Sequence, residues 1–132
     1  MIMDIWKELQ DEGIDKALLD EIRQFRAAHP ATPEAAARIP VPRFLYYGKE
    51  IWESAAAALL CGEHLLLAGP KATGKNVLAE NLAAVFGRPN WDVSMYVNVD
   101  AASLIGADTL KDGKVVFREG PICQCARMGG FG

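Results

Sequence analysis

Leu65-Leu66-Leu67-Ala68-Gly69-Pro70-Lys71-Ala72-Thr73-Gly74-Lys75-Asn76-Val77-Leu78 is the stretch on which the fold turns. Its first four residues are wholly apolar, the pattern of a central parallel strand buried on both faces. Gly69 to Lys75 then match the first seven positions of G-x-x-x-x-G-K-[ST]. Residues 76–86 read as a helix, with Leu78, Leu82, Val85 and Phe86 as its packing stripe and Gly87 and Pro89 as its stop. A strand, a glycine-bounded loop and a helix, in that order, form the context the pattern requires.

Each position of the loop has a physical reason. A polyphosphate carries several negative charges and needs many donors at short range. Consecutive backbone N–H groups that converge on one point form an anion nest, and the free N–H groups and dipole of the following helix add positive potential. Gly69 and Gly74 supply the backbone freedom for this wrapping. Lys75 adds a full charge for the β- and γ-phosphates and is the candidate catalytic residue. The expected ligand is ATP with Mg²⁺, held by Gly69, Pro70, Lys71, Ala72, Thr73, Gly74, Lys75, Asn76 and Val77. One position departs from the pattern. Asn76 stands where a Ser or Thr hydroxyl normally ligates Mg²⁺. Its amide oxygen can also meet a hard cation, but it is bulkier and set differently. Hydrolysis further needs an acidic pair at a strand end. Leu18-Leu19-Asp20-Glu21 lies before the loop, inside a helical pattern, and no run after Lys75 has the required form.

Outward from the loop, the pattern is mostly helical. Ile14, Leu18, Leu19, Ile22 and Phe25 recur at helical spacing within residues 4–28, with Gly13 dividing a short helix from a longer one. Asp15 suits its N-cap, with Ile14 and Leu19 as a hydrophobic staple. Pro30, Pro33, Pro40 and Pro42 break up the next segment, where Thr32 and Pro33 can open one short turn. Residues 1–42 therefore read as a helical extension with a proline-rich linker, and residues 43–132 as the main domain. Residues 49–60 read as a helix presenting Ile51, Ala55, Ala58 and Leu59, ended by Gly62. Residues 91–97 are a second strand candidate. Asp112-Gly113 before Val115-Val116-Phe117 makes residues 109–117 a hairpin, and residues 121–128 start another helix. Trp6, Trp52 and Trp91 read as core or interface aromatics.

Composition narrows the function classes. The chain has 132 residues, 51% of them hydrophobic, and a formal charge of −3, so an overall basic nucleic-acid surface is not expected. Three cysteines without framework spacing fit a reducing compartment. Cys123-Gln124-Cys125 is short of ligands for a metal site. The N-terminus has no signal-peptide pattern, and the longest apolar run, residues 54–61, is too short to span a bilayer. The cytoplasm is the expected location.

The quoted residues, with three further runs, resemble the MoxR-type AAA+ ATPases of the helix-2-insert group. Gly62-Glu63-His64-Leu65-Leu66-Leu67-Ala68-Gly69-Pro70 is similar to that group's first core strand running into its phosphate loop. Val93 to Val99 is similar to its second strand. Ala102-Ser103-Leu104-Ile105-Gly106 with Lys114-Val115-Val116-Phe117-Arg118-Glu119-Gly120-Pro121 resembles the helix-2 insert, a small hairpin between two helical pieces. Gly129-Gly130-Phe131-Gly132 sits where the group leads into its Walker B strand. The resemblance covers about the last eighty residues; Met1 to Pro42 match nothing in the group.

The resemblance implies an α/β fold, the three-layer parallel sheet of a P-loop NTPase with flanking helices, incomplete here and preceded by the helical extension. It implies ATP hydrolysis by a homo-oligomeric ring, typically of six subunits, that remodels a partner, often one with a von Willebrand factor A domain. It places Tyr47 and Gly48 near the adenine and the hairpin at the ring's pore or partner, and it implies that the chain is a fragment that does not turn over ATP alone. Two other readings stand beside it: a P-loop kinase acting on a small molecule, and a non-hydrolysing nucleotide-binding or interaction module.

Overall fold

The computed structural model describes residues 3–132. Two N-terminal helices open it, α1 (Ile5–Asp11) and α2 (Lys16–Ala28). The break between them follows from Gly13, which takes a left-handed turn, and from Asp15. The Asp15 carboxylate accepts from the N–H of Ala17 at 2.7 Å and of Leu18 at 3.4 Å, satisfying amides that the first turn leaves free. Its own N–H donates to Glu53 Oε1 at 2.9 Å. A short turn, α3 (Pro33–Ala36), is capped by Thr32 with Pro33 at its first position. Two longer helices follow, α4 (Lys49–Leu60) and α5 (Lys75–Phe86).

These helices share one core. Leu9, Ile14, Leu19 and Ile22 from the N-terminal segment pack in one cluster with Trp52, Ala55, Ala56, Leu78, Leu82, Val85 and Phe86. Each large buried side chain contributes about 1.5–3 kcal/mol relative to exposure. The buried side of α4 is rotated from the expected one. Trp52, Ala55 and Ala56 are buried, whereas Ile51 is 54% exposed. The large indole at position 52 dominates the burial, and Ala55 and Ala56, one turn on, leave room for α2 to approach. On α5 the expected stripe is a minimum, because Asn81, Ala83 and Ala84 are buried as well.

The remaining elements are α6 (Ala101–Leu104), strands β1 (Gly106–Lys111) and β2 (Lys114–Glu119), and α7 (Pro121–Met128). The hairpin is longer than the expected residues 109–117 and pairs in antiparallel register from Gly106↔Glu119 to Lys111↔Lys114. Asp112 and Gly113 both have positive φ, 51° and 75°, as a two-residue primed turn demands. Arg88 ties this part to the rest. Its guanidinium donates to the carbonyls of His29, Met128 and Gly129 at 2.8–2.9 Å, joining the ends of α2 and α7. Of the tryptophans, Trp52 and Trp91 are buried, and Trp6 carries the Arg23 guanidinium 4.6 Å above its ring.

The chain is a mixed helix-and-strand structure compatible with an incomplete α/β domain, but the expected parallel three-layer sheet is not formed by residues 3–132. The described sheet is the two-stranded hairpin. Residues 65–68 and 91–97 are not strands. A parallel strand is defined by its ladder partners, and no backbone ladder bond reaches residues 65–68 among the described residues. The segment is covered on one face: Leu65 and Leu67 pack on the helical core, while Leu66 is 92% exposed. Among the described residues parallel pairing appears once, as an isolated bridge between Asn90 and Phe131.

Candidate phosphate-binding loop

Residues 69–74 leave the extended segment and turn into α5 through two left-handed residues. Ala72 has φ 59°, and Gly74, the N-cap of α5, has φ 83°. For Ala72 this conformation costs about 1–2 kcal/mol. No side chain caps α5 at this end. Its first amides therefore open toward the loop, where a helix N-terminus concentrates positive potential.

Lys75 is the first residue of α5, and its side chain folds back across the loop. The ammonium donates to the carbonyls of Gly69, at 3.0 Å, and of Pro70, and to Thr73 Oγ1 at 3.1 Å. Thr73 Oγ1 in turn donates to the Pro70 carbonyl at 2.9 Å. Gly69, Pro70, Thr73 and Lys75 are thus brought together, with Gly74 as the hinge between loop and helix. Lys71 and Ala72 are exposed. Asn76 is exposed and its side chain takes no partner among the described residues, while Val77 is half-buried. Phosphate suits this donor set: one ammonium, a run of loop amides and an uncapped helix end.

Of the residues expected at the adenine, Tyr47 is 67% exposed and Gly48 is the N-cap of α4. The ring of their neighbour Tyr46 faces the loop at Gly74. A Cβ built on Gly74 would lie 3.2 Å from Tyr46 Cδ2. The sequence reading singles out neither Tyr46 nor Asn81, which is fully buried on α5 and bonds the backbone on either side of Leu45. An asparagine inside an apolar helical face was the available signal.

His64 and Arg118 are exposed. Arg127 pairs with Glu119 at 3.0 Å and reaches Glu34 at 3.9 Å. No group of three or more His, Cys, Asp or Glu side chains able to hold a metal occurs among the described residues. Cys123 is half-buried, Cys125 buried and Cys61 exposed. Burial pushes the Cys125 thiol up, so less thiolate is present at a given pH. Labelling with a disulfide reagent at pH 8 is expected to modify Cys61 first and Cys125 on the order of ten times more slowly. Mass spectrometry of the quenched chain reads the order, and equal rates would contradict the burial.

Comparison with known proteins gives partial matches. The chain is 31% identical over 124 residues to the uncharacterized protein YojN of Bacillus subtilis, covering 91% of this chain and 39% of that protein. It is 37% identical over 93 residues to protein NorQ of Paracoccus denitrificans, covering 69% and 33% respectively. It is 26% identical over 96 residues to von Willebrand factor A domain-containing protein 8 of Mus musculus, covering 70% of this chain and 5% of that protein. The chain thus spans well under half the length of these curated relatives. The likeness to NorQ and to the mouse protein supports an AAA+, MoxR-like relationship. No family model matches the chain, and no solved structure matches it. No helix among the described residues is long and apolar enough to cross a membrane.

Proposed function

We propose that this chain binds ATP with Mg²⁺ at the Gly69–Val77 loop as the nucleotide-binding part of a MoxR-like AAA+ ATPase. The observation that carries the reading is the loop itself, with its left-handed hinge at Gly74, its uncapped helix end and the Lys75 ammonium drawn across it. Lys75 would hold the β- and γ-phosphates, the backbone N–H groups of Gly69 and of residues 71–74 would cradle them, Pro70 having none, and Asn76 and Val77 would present the first amides of α5. Mg²⁺ would neutralise phosphate charge, with the Asn76 side chain among its ligands. The assembly proposed is a homo-oligomeric ring of six in the cytoplasm, coupling hydrolysis to the remodelling of another protein. A protein with a von Willebrand factor A domain is the proposed partner class. Support for it comes from the family resemblance and from the mouse relative, whose name records such a domain in the same polypeptide. The hairpin β1–β2, with Leu110, Val115 and Phe117 exposed, would face the pore or that partner.

Isothermal calorimetry of the chain with ATP, with and without Mg²⁺, tests the reading. Binding is expected, strengthened by Mg²⁺ on the order of tenfold, about 1.4 kcal/mol for one added ligand contact. Asn76→Thr restores the hydroxyl of the pattern and is expected to enlarge the Mg²⁺ effect. Binding that ignores Mg²⁺ in both forms would favour the non-hydrolysing module. No ATP binding under either condition would overturn the proposal.

A further inference from the structure

The segment from Phe44 to Tyr46 belongs to no regular element, yet its course is fixed at several points. Leu45 is buried in the helical core. Asn81 on α5 is 0% exposed, and its amide engages both neighbours of Leu45. Its Oδ1 accepts from the Tyr46 N–H at 2.9 Å, and its Nδ2 donates to the Phe44 carbonyl at 2.8 Å. One side chain thereby serves a donor and an acceptor as the peptide group of an adjacent strand would. A buried amide is tolerated in an apolar interior only when it is satisfied in this way.

Held so, the Tyr46 ring lies between two helix starts. A Cβ on Gly48, the N-cap of α4, would sit 2.7 Å from Tyr46 Cε1, and one on Gly74, the N-cap of α5, would sit 3.2 Å from Cδ2. The side-chain hydrogen bonds described for the loop run between its own residues, among Gly69, Pro70, Thr73 and Lys75. Tyr46 touches it from outside, at the left-handed hinge.

We infer that Asn81 and Tyr46 are a positioning pair for the phosphate loop. Asn81 fixes the segment, and the Tyr46 ring braces Gly74, so that the loop holds one arrangement before a ligand arrives. The inference rests on the proposed phosphate-binding reading. Its consequence is specific. A brace lowers the ordering cost of the loop itself, so it acts on any triphosphate equally, whatever base is attached.

The test is calorimetry of Mg²⁺–ATP and of Mg²⁺–inorganic tripolyphosphate against the chain and its Tyr46→Ala, Tyr46→Phe, Asn81→Ala and double-alanine variants. Tyr46→Ala is expected to weaken both ligands by a common factor of about five to ten. Tyr46→Phe keeps the ring and restores both. Asn81→Ala weakens both in the same ratio, and the double variant is no weaker than the weaker single one, because the two side chains act in series. Tyr46→Ala leaves both Asn81 hydrogen bonds in place and decides the matter if Asn81→Ala does not fold. Wild-type affinity for both ligands in Tyr46→Ala would overturn the inference. So would a loss confined to ATP, which would make the ring a base contact, or additive losses in the double variant. If the unaltered chain binds neither ligand, or Lys75→Ala binds both undiminished, the phosphate-binding reading itself falls and takes this inference with it.

Discussion

Lys75→Ala is expected to lower the affinity of the chain for Mg²⁺–ATP on the order of 100-fold while leaving its fold intact. The magnitude follows from what the ammonium does. A hydrogen bond to a charged partner contributes about 1.5–3 kcal/mol, and an ammonium bridging two phosphates makes more than one such contact. The gain is offset in part, because the ammonium exchanges the carbonyls of Gly69 and Pro70 for phosphate oxygens. A net loss near 3 kcal/mol corresponds to about two orders of magnitude. The fold is not at stake, since the Lys75 contacts lie within the exposed loop and none of its described bonds reaches the core. Competition titration against a fluorescent ATP analogue reads the loss. Lys111→Ala removes the same charge from the exposed hairpin and controls for net charge. Because the lost interaction is ionic and partly exposed, the gap between the unaltered chain and Lys75→Ala narrows as salt is raised. Equal affinity of the two forms would mean that the loop binds no phosphate through this lysine.

The loop and its helix were legible because their determinants are local. Glycines at fixed offsets, a lysine at the first helical position and a stripe at helical spacing lie within residues 69–86, and α5 forms there from Lys75, with Gly74 left-handed before it. Asp15, Thr32 and Asp112-Gly113 were legible for the same reason, each acting on backbone groups two or three residues away. What failed to appear depends on distant partners. An apolar run such as residues 65–68 states that it is ready to be buried, but a ladder also needs neighbours, and Leu66 finds none among the described residues. The phase of α4 was misread because Ile51 and Trp52 are both apolar, and only packing against α2 decides between them. Asn81 and Tyr46 were missed because their partners stand 35 residues apart in the chain.

Ile22→Ala is expected to destabilise the whole chain by about 2–5 kcal/mol, the cost of emptying a buried aliphatic site. Ile22 is 0% exposed on α2, in the cluster that also holds Trp52, Leu78, Leu82 and Phe86. The sequence sets residues 1–42 apart as a helical extension with a proline-rich linker. Hydrogen bonds join that segment to the loop-bearing helix. Arg26 donates to the carbonyls of Ala84 and Val85 at the end of α5, at 2.9 and 3.3 Å, and Arg88 donates to His29 at the end of α2. The back of the loop-bearing helix is therefore covered by the N-terminal segment. If these contacts set stability, chemical denaturation gives one transition, coincident by far-ultraviolet dichroism and tryptophan fluorescence, and Ile22→Ala lowers its midpoint, because the loss is a large part of a total unfolding free energy of about 5–15 kcal/mol. If the segment were an independent extension, the variant would split the curve and leave the later transition, that of α4 and α5, where it was. The single-transition outcome would carry a consequence for the site. The order of the phosphate loop would then depend on residues far from it in sequence, because α5 keeps its apolar face buried only while α2 lies across it.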